Sequence, residues 1–107
     1  REIALVAIER DAEGVERSLG EARMVADPDN VSAEFGIIIR SDIKSGGLGR
    51  LLMNKLIAYA RAHGTQRLVG TVLNDNHAML DFTRKLGFVS GHNVADAQTT
   101  EIVLALQ

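Results

Sequence analysis

The chain has 107 residues, 46% of them apolar and 24% charged, with a net charge of −2 from 12 Lys and Arg against 14 Asp and Glu. That length suits one domain with a single modest core, and the near balance of charge gives no electrostatic case for a nucleic-acid or membrane partner. With no cysteine in the sequence, disulfides, thiolate metal sites and a Cys nucleophile are excluded. No run approaches the roughly 18 apolar residues of a membrane helix and no signal-peptide pattern is present, so a cytoplasmic protein is expected.

The sequence opens directly on a strand, Glu2 to Glu9, without Met or lead-in, the start expected of a chain whose upstream part is missing. RDAEG (Arg10 to Gly14) reads as a turn and Arg17 to Val25 as a second, less regular strand. DPDN (Asp27 to Asn30) holds the one proline and is the strongest turn signal, and Ser32 to Arg40 is a third strand. Three strands joined by short turns predict an antiparallel meander. From Leu48 the period changes. Leu48, Leu51, Leu52, Leu56, Tyr59 and Ala60 fall at spacings of three and four, an amphipathic helix stopped by Gly64. RLVGTVL (Arg67 to Leu73) is again a strand, which predicts a strand–helix–strand crossover. Asn and Asp in LNDNH offer N-caps for a shorter helix over Ala78 to Leu86, ended by Gly87. Phe88 to Ser90 begins a strand, GHNVADAQ is a loop, and Thr99 to Leu106 is the last strand. The expected fold is mixed α/β, a largely antiparallel sheet with two helices in the order β-β-β-α-β-α-β-β, forming one domain over 1–107.

The stretch KSGGLGR, Lys44 to Arg50, places three glycines where the third strand gives way to a helix. A Walker loop is excluded because Arg50 and Leu51 follow the last glycine in place of Lys and a hydroxyl residue. A dinucleotide fingerprint is weak: Gly47 and Gly49 supply two glycines, but Leu52 stands where the third belongs. The remaining alternatives are a plain turn, or a backbone cradle in which N–H groups from about Lys44 to Arg50 wrap a pyrophosphate at the helix N-terminus. That cradle needs no metal.

The stretch resembles the acyl-CoA-binding loop of the GNAT acetyltransferase family, with pattern [Q/R]-x-x-G-x-[G/A]. Gly47 and Gly49 match it, Lys44 takes the Gln/Arg place, and Ser45 stands where another glycine is frequent. A second family element, N-x-x-A-x-x-x-Y-x-K-x-G-F, is matched by Asn76, Lys85, Gly87 and Phe88, with Met79 replacing the Ala and Thr83 the Tyr. More narrowly, ARMVADPDNVSAEFGIIIRSD and RLVGTVLNDNHAML resemble bacterial protein lysine acetyltransferases of the Pat type. The resemblance covers nearly the whole chain and implies that the family's first strand and first two helices lie upstream. A chain without that strand leaves open a homodimer made by exchanging elements.

The resemblance implies acetyl-CoA as cosubstrate, without a metal, and an amine acceptor, a protein lysine in relatives that act on acyl-CoA synthetases. Lys44, Ser45, Gly46, Gly47, Leu48, Gly49 and Arg50 would bind the pyrophosphate. Backbone at Ile37, Ile38 and Ile39 would pair with the pantetheine arm, in a cleft opened by a bulge at Gly36. Asn76 would cap its helix and touch the coenzyme. Glu34, at the start of the cleft strand, matches the Glu in the AEF stretch of Pat-type enzymes and would act as general base, because an ammonium has no lone pair. Thr83 takes the place of a Tyr that protonates the leaving thiolate in many relatives, so the thiolate would leave unaided or take its proton from water. Arg50, Arg84 and Lys85 are further candidates for phosphate contacts. His63, His77 and His92 lack metal-like spacing, and Met53, Tyr59 and Met79 read as core. The rival reading is a non-catalytic acyl-CoA sensor with the same loop and cleft.

Overall fold

The computed structural model describes residues 2–40, 47–92 and 95–107. Its elements follow the expected order: strands β1 (Glu2–Arg10), β2 (Glu16–Ala26) and β3 (Ser32–Ile39), helix α1 (Leu48–Ala62), strand β4 (Arg67–Leu73), helix α2 (His77–Lys85), and strands β5 (Val89–His92) and β6 (Thr99–Ala105). The six strands form one sheet in the order β1-β2-β3-β4-β6-β5. The first three make the antiparallel meander. After the α1 crossover β4 pairs parallel to β3, and β6 and β5 follow antiparallel. Gly91 and His92, assigned to a loop from sequence, extend β5 because they pair with Glu101 and Thr100 of β6. That edge pairing has no local signature.

Alternation along the strands decides which face receives the helices. Ala22, Met24 and Ala26 of β2 lie on the same side as Ala33, Leu68, Val72 and Ile102, and all are buried. Against them α1 buries Leu52, Met53, Leu56, Ile57 and Ala60. Leu51, expected on this stripe, is instead 52% exposed. The run LLMNKLI permits two overlapping apolar stripes, and packing on the sheet selects the one containing Met53 and Ile57. Helix α2 joins the same side: a Cβ placed on Gly49 of α1 would lie 3.4 Å from Phe82 Cζ of α2 and 3.9 Å from Ile37 Cδ1 of β3. The opposite face carries Val6, Ile8, Val25 and Ile38, all exposed, and no helix among the described residues covers it.

Both helices end on their glycines by the same hydrogen-bond pattern. Gly64 N–H reaches Arg61 O at 3.1 Å and Thr65 N–H reaches Ala60 O at 3.0 Å; Gly87 and Phe88 repeat this on Arg84 and Thr83 at 3.0 Å each. The Asp27 turn is tied to the end of α1 through side chains. Thr65 is fully buried, and its hydroxyl donates to Asn30 Oδ1 at 2.8 Å while Asn30 Nδ2 donates to His63 O at 2.8 Å. Asn30 holds a φ of 59°, which asparagine tolerates better than most residues. Asn30→Gly keeps that backbone accessible but orphans the buried hydroxyl. It should lower unfolding free energy by about 1–3 kcal/mol, read as an earlier urea midpoint with an unchanged slope.

Candidate active site

Between β3 and β4 the ladder is short. Ser32, Ala33 and Glu34 pair with Arg67, Leu68 and Val69, and beyond Val69 the two strands part. The opening lies at the carboxyl ends of two parallel strands, the usual place for a ligand in an α/β sheet. It does not come from a bulge at Gly36. The β2–β3 register runs unbroken through Arg23↔Gly36, and the described irregularity of the meander lies between Ala7 and Ile8, opposite Leu19. The correction is physical: β3 keeps its outer partner and loses only its inner one.

Two cavities occupy the opening. The larger, about 610 Å³, runs from the start of α1 to α2 and is lined by Ile37, Ile39, Gly47, Leu48, Gly49, Arg50, Asn76, Ala78, Met79 and Phe82. The smaller, about 270 Å³, continues between the parted strands and adds Phe35, Gly36, Gly70, Thr71, Val72 and Leu73. Ile37, Asn76 and Met79 border both, so the two adjoin along one line of approach, the passage between α1, α2 and the parted strands.

Its wide end is electrically suited to an anion. Gly47 precedes α1 with φ 80°, a conformation that favours glycine, and no side chain caps the helix among the described residues. The N–H groups of the first turn lack intrahelical acceptors, and that turn holds no acidic residue to compete for them. Arg50 is the charged side chain among the described residues lining this cavity.

The structure brings Ile37, Ile39, Gly47, Leu48, Gly49, Arg50 and Asn76 to one cavity. Ile38 points to the other face and is 75% exposed, so it can reach the passage only through its backbone. Lys44, Ser45 and Gly46 lie outside the described residues. Glu34 occupies the last paired register of β3, exposed on the face opposite the helices. Two residues on, along that same face, Gly36 presents no side chain, and a Cβ there would meet nothing within 4 Å. Asn76 caps α2, its Oδ1 accepting from Met79 N–H at 3.2 Å, which leaves the amide NH₂ for the passage.

Other expectations change. Thr83 is 1% exposed and its hydroxyl donates to Met79 O at 2.9 Å and Leu80 O at 3.2 Å, so it faces the helix and not the cleft. Arg84 and Lys85 pair with Asp81 at 2.5 and 3.1 Å, away from both cavities. Met79, read as core, also lines the passage, joined by Phe82 and by Phe35 against Gly70. Spacings of three and six after Asn76 place Met79 and Phe82 on its side of α2, a signal available in the sequence. The glycine inside RLVGTVL was another.

A sheet parted at the carboxyl ends of two parallel strands, with the start of a helix at one end of the gap, defines an α/β domain built to bind a ligand in that opening. Residues 3–88 match the model of the Acetyltransferase (GNAT) family, and the chain belongs to that family. It is 36% identical over 72 residues to Acetyltransferase Pat of Mycolicibacterium smegmatis, covering 66% of this chain and 22% of that protein. It is also 36% identical over 61 residues to the L-methionine sulfoximine/L-methionine sulfone acetyltransferase of Pseudomonas aeruginosa, covering 56% of this chain and 36% of that one. The chain thus spans well under half the length of these relatives. Among solved structures, a Klebsiella pneumoniae protein described as an acyl-CoA N-acyltransferase superposes with a TM-score of 0.84 at 21% identity, covering 99% of this chain and 73% of that one, which shows the fold.

The pairing of Asp81 has a measurable consequence. Hydrogen bonds from Lys85 first, then Arg84, hold its carboxyl below the ordinary 3.8. The folded chain therefore takes up this proton less readily than the unfolded chain. The pair stabilises α2 in full above that ordinary value, and the contribution is lost as pH falls through the lowered one. A carboxyl-carbon NMR titration should place Asp81 below 3.8, and Lys85→Ala should move it upward.

Proposed function

We propose that this domain transfers acetyl from acetyl-CoA to a primary amine, the side chain of a protein lysine, by direct attack. The observation that carries the reading is the pair of adjoining cavities that lead from the start of α1 into the gap between β3 and β4. The coenzyme's pyrophosphate sits on the N–H groups at the start of α1 with Arg50 beside it. Its pantetheine arm runs along the free edge of β3 at Ile37, Ile38 and Ile39, past Asn76. Backbone N–H groups on that edge polarise the thioester carbonyl.

Glu34 takes a proton from the incoming ammonium, directly or through water, and the free amine nitrogen attacks the thioester carbon. The nitrogen gives up its second proton to water, the carbon–sulfur bond breaks, and the thiolate leaves with the electron pair. Because the Thr83 hydroxyl is held within α2, water supplies the thiolate's proton. The Pat relative favours a protein acceptor and the methionine sulfoximine relative a small amine, at equal identity. The exposed position of Glu34, on a sheet face that no helix among the described residues covers, suits a lysine presented by a large partner.

Calorimetric titration should give saturable binding of acetyl-CoA and none of NAD or ATP. Glu34→Gln should lower transfer to lysine by about 10²-fold or more at neutral pH while leaving acetyl-CoA affinity unchanged. The deficit should narrow as pH rises toward the lysine's own pKa of about 10. A wild-type chain that binds acetyl-CoA yet transfers nothing would instead identify a sensor.

Thr83→Val provides a separate check on the proton's source. Transfer should stay within about twofold, since the hydroxyl serves only helix carbonyls. A loss of tenfold or more would return the thiolate's proton to Thr83.

A further inference from the structure

We infer that Phe35 sets the length of acyl group this site accepts, and that Gly70 fixes where Phe35 stands. The inference rests on the acyl-coenzyme reading and specifies its narrow end. The smaller cavity ends where β3 and β4 pair again, at Glu34↔Val69 and Ala33↔Leu68. Phe35 is the first residue beyond that pairing whose side chain lies on the helix side, and it lines this cavity without reaching the larger one. Its ring lies over Gly70: a Cβ there would be 2.6 Å from Cε1, 3.0 Å from Cζ and 3.2 Å from Cδ1. Phe88, 4% exposed, stands behind it with ring centroids 5.1 Å apart and planes tilted by 43°.

The ring is therefore held by β4 backbone and by a buried aromatic, and it also borders the cavity. A coenzyme entering from the α1 end brings its acyl group last, past Ile37, Asn76 and Met79, toward this ring. Each methylene added to the acyl group advances toward Phe35. Shortening the side chain extends the cavity, and a methyl on Gly70 pushes the ring into it, because Phe88 blocks retreat toward the core. The two substitutions should move acyl preference in opposite directions, which a merely structural role for either residue would not do.

The test uses calorimetry on this chain with CoA, acetyl-CoA, butyryl-CoA and hexanoyl-CoA, each affinity expressed relative to CoA for the same variant. A methylene that gains burial contributes roughly fourfold in binding. Phe35→Ala should raise the hexanoyl-to-acetyl affinity ratio at least tenfold over wild type. Phe35→Leu, which retains apolar packing on Phe88, should raise it about threefold and carries the test if the alanine variant does not fold. Gly70→Ala should lower the ratio at least threefold. Ratios within twofold of wild type for the folded Phe35 variant and for Gly70→Ala would overturn the inference while CoA binding upheld the coenzyme site. Failure of the wild-type chain to bind CoA or any acyl-CoA would overturn both.

Discussion

Everything distinctive in this domain follows from one interrupted ladder. A parallel pair of three residues leaves the rest of β3 and β4 with backbone groups turned toward a gap. Unpaired N–H and C=O groups are costly when buried, so such a gap persists only if open to solvent or filled by something that can hydrogen-bond. Here the sheet does not fall apart, because each strand keeps its other neighbour. β3 stays registered to β2 from Ala33 to Ile39, and β4 to β6 along its whole length. The opening is a property of one seam in an otherwise continuous sheet.

The seam also explains the distribution of small residues. Gly36 and Gly70 face opposite sides of the gap, one toward the open face and one toward the helices, while Gly47 and Gly49 thin the start of α1. Glycine within a strand costs about 0.5–1 kcal/mol relative to alanine. Gly36 and Gly70 bear that cost beside the passage, whose walls carry the larger apolar residues. Stability is recovered away from the gap, through the paired terminations of α1 and α2 and through the buried Thr65–Asn30 contact that anchors the crossover. Rigid ends and a permissive middle are what a cleft in a 107-residue chain requires.

Much of this was legible in the sequence because it is local. Alternation and 3.6-residue periodicity revealed every strand and helix in order, and the glycine and Asn76 spacings drew the expected contacts toward one cavity. Some of the misreadings needed information from elsewhere in the fold, and others lay within a single helix. Gly36 signalled an interruption, but a bulge and a parting of strands look alike along a single segment; only the partners distinguish them. The inner stripe of α1 was ambiguous because Leu51, Leu52 and Met53 are consecutive and apolar. Arg84 and Lys85 looked available for phosphate until Asp81, three and four residues before them, took both. Phe35 on Gly70 joins two strands far apart in sequence, and no local rule pairs them.

The polarity of the passage bears on how two unlike substrates would meet in it. Arg50 and the start of α1 make one end positive, on the helix side, while Glu34 supplies a negative charge at the closed end of the seam, on the open face. A polyanionic coenzyme is drawn to the first and turned away from the second; a cationic amine experiences the reverse. Both groups are exposed, so the steering weakens with salt and acts over roughly 10 Å at ordinary ionic strength. Keeping Glu34 in water also spares it the cost of burying a lone carboxylate. A seam through the sheet therefore does more than hold a ligand: it separates the charges that each substrate follows and brings their paths together beside Gly36.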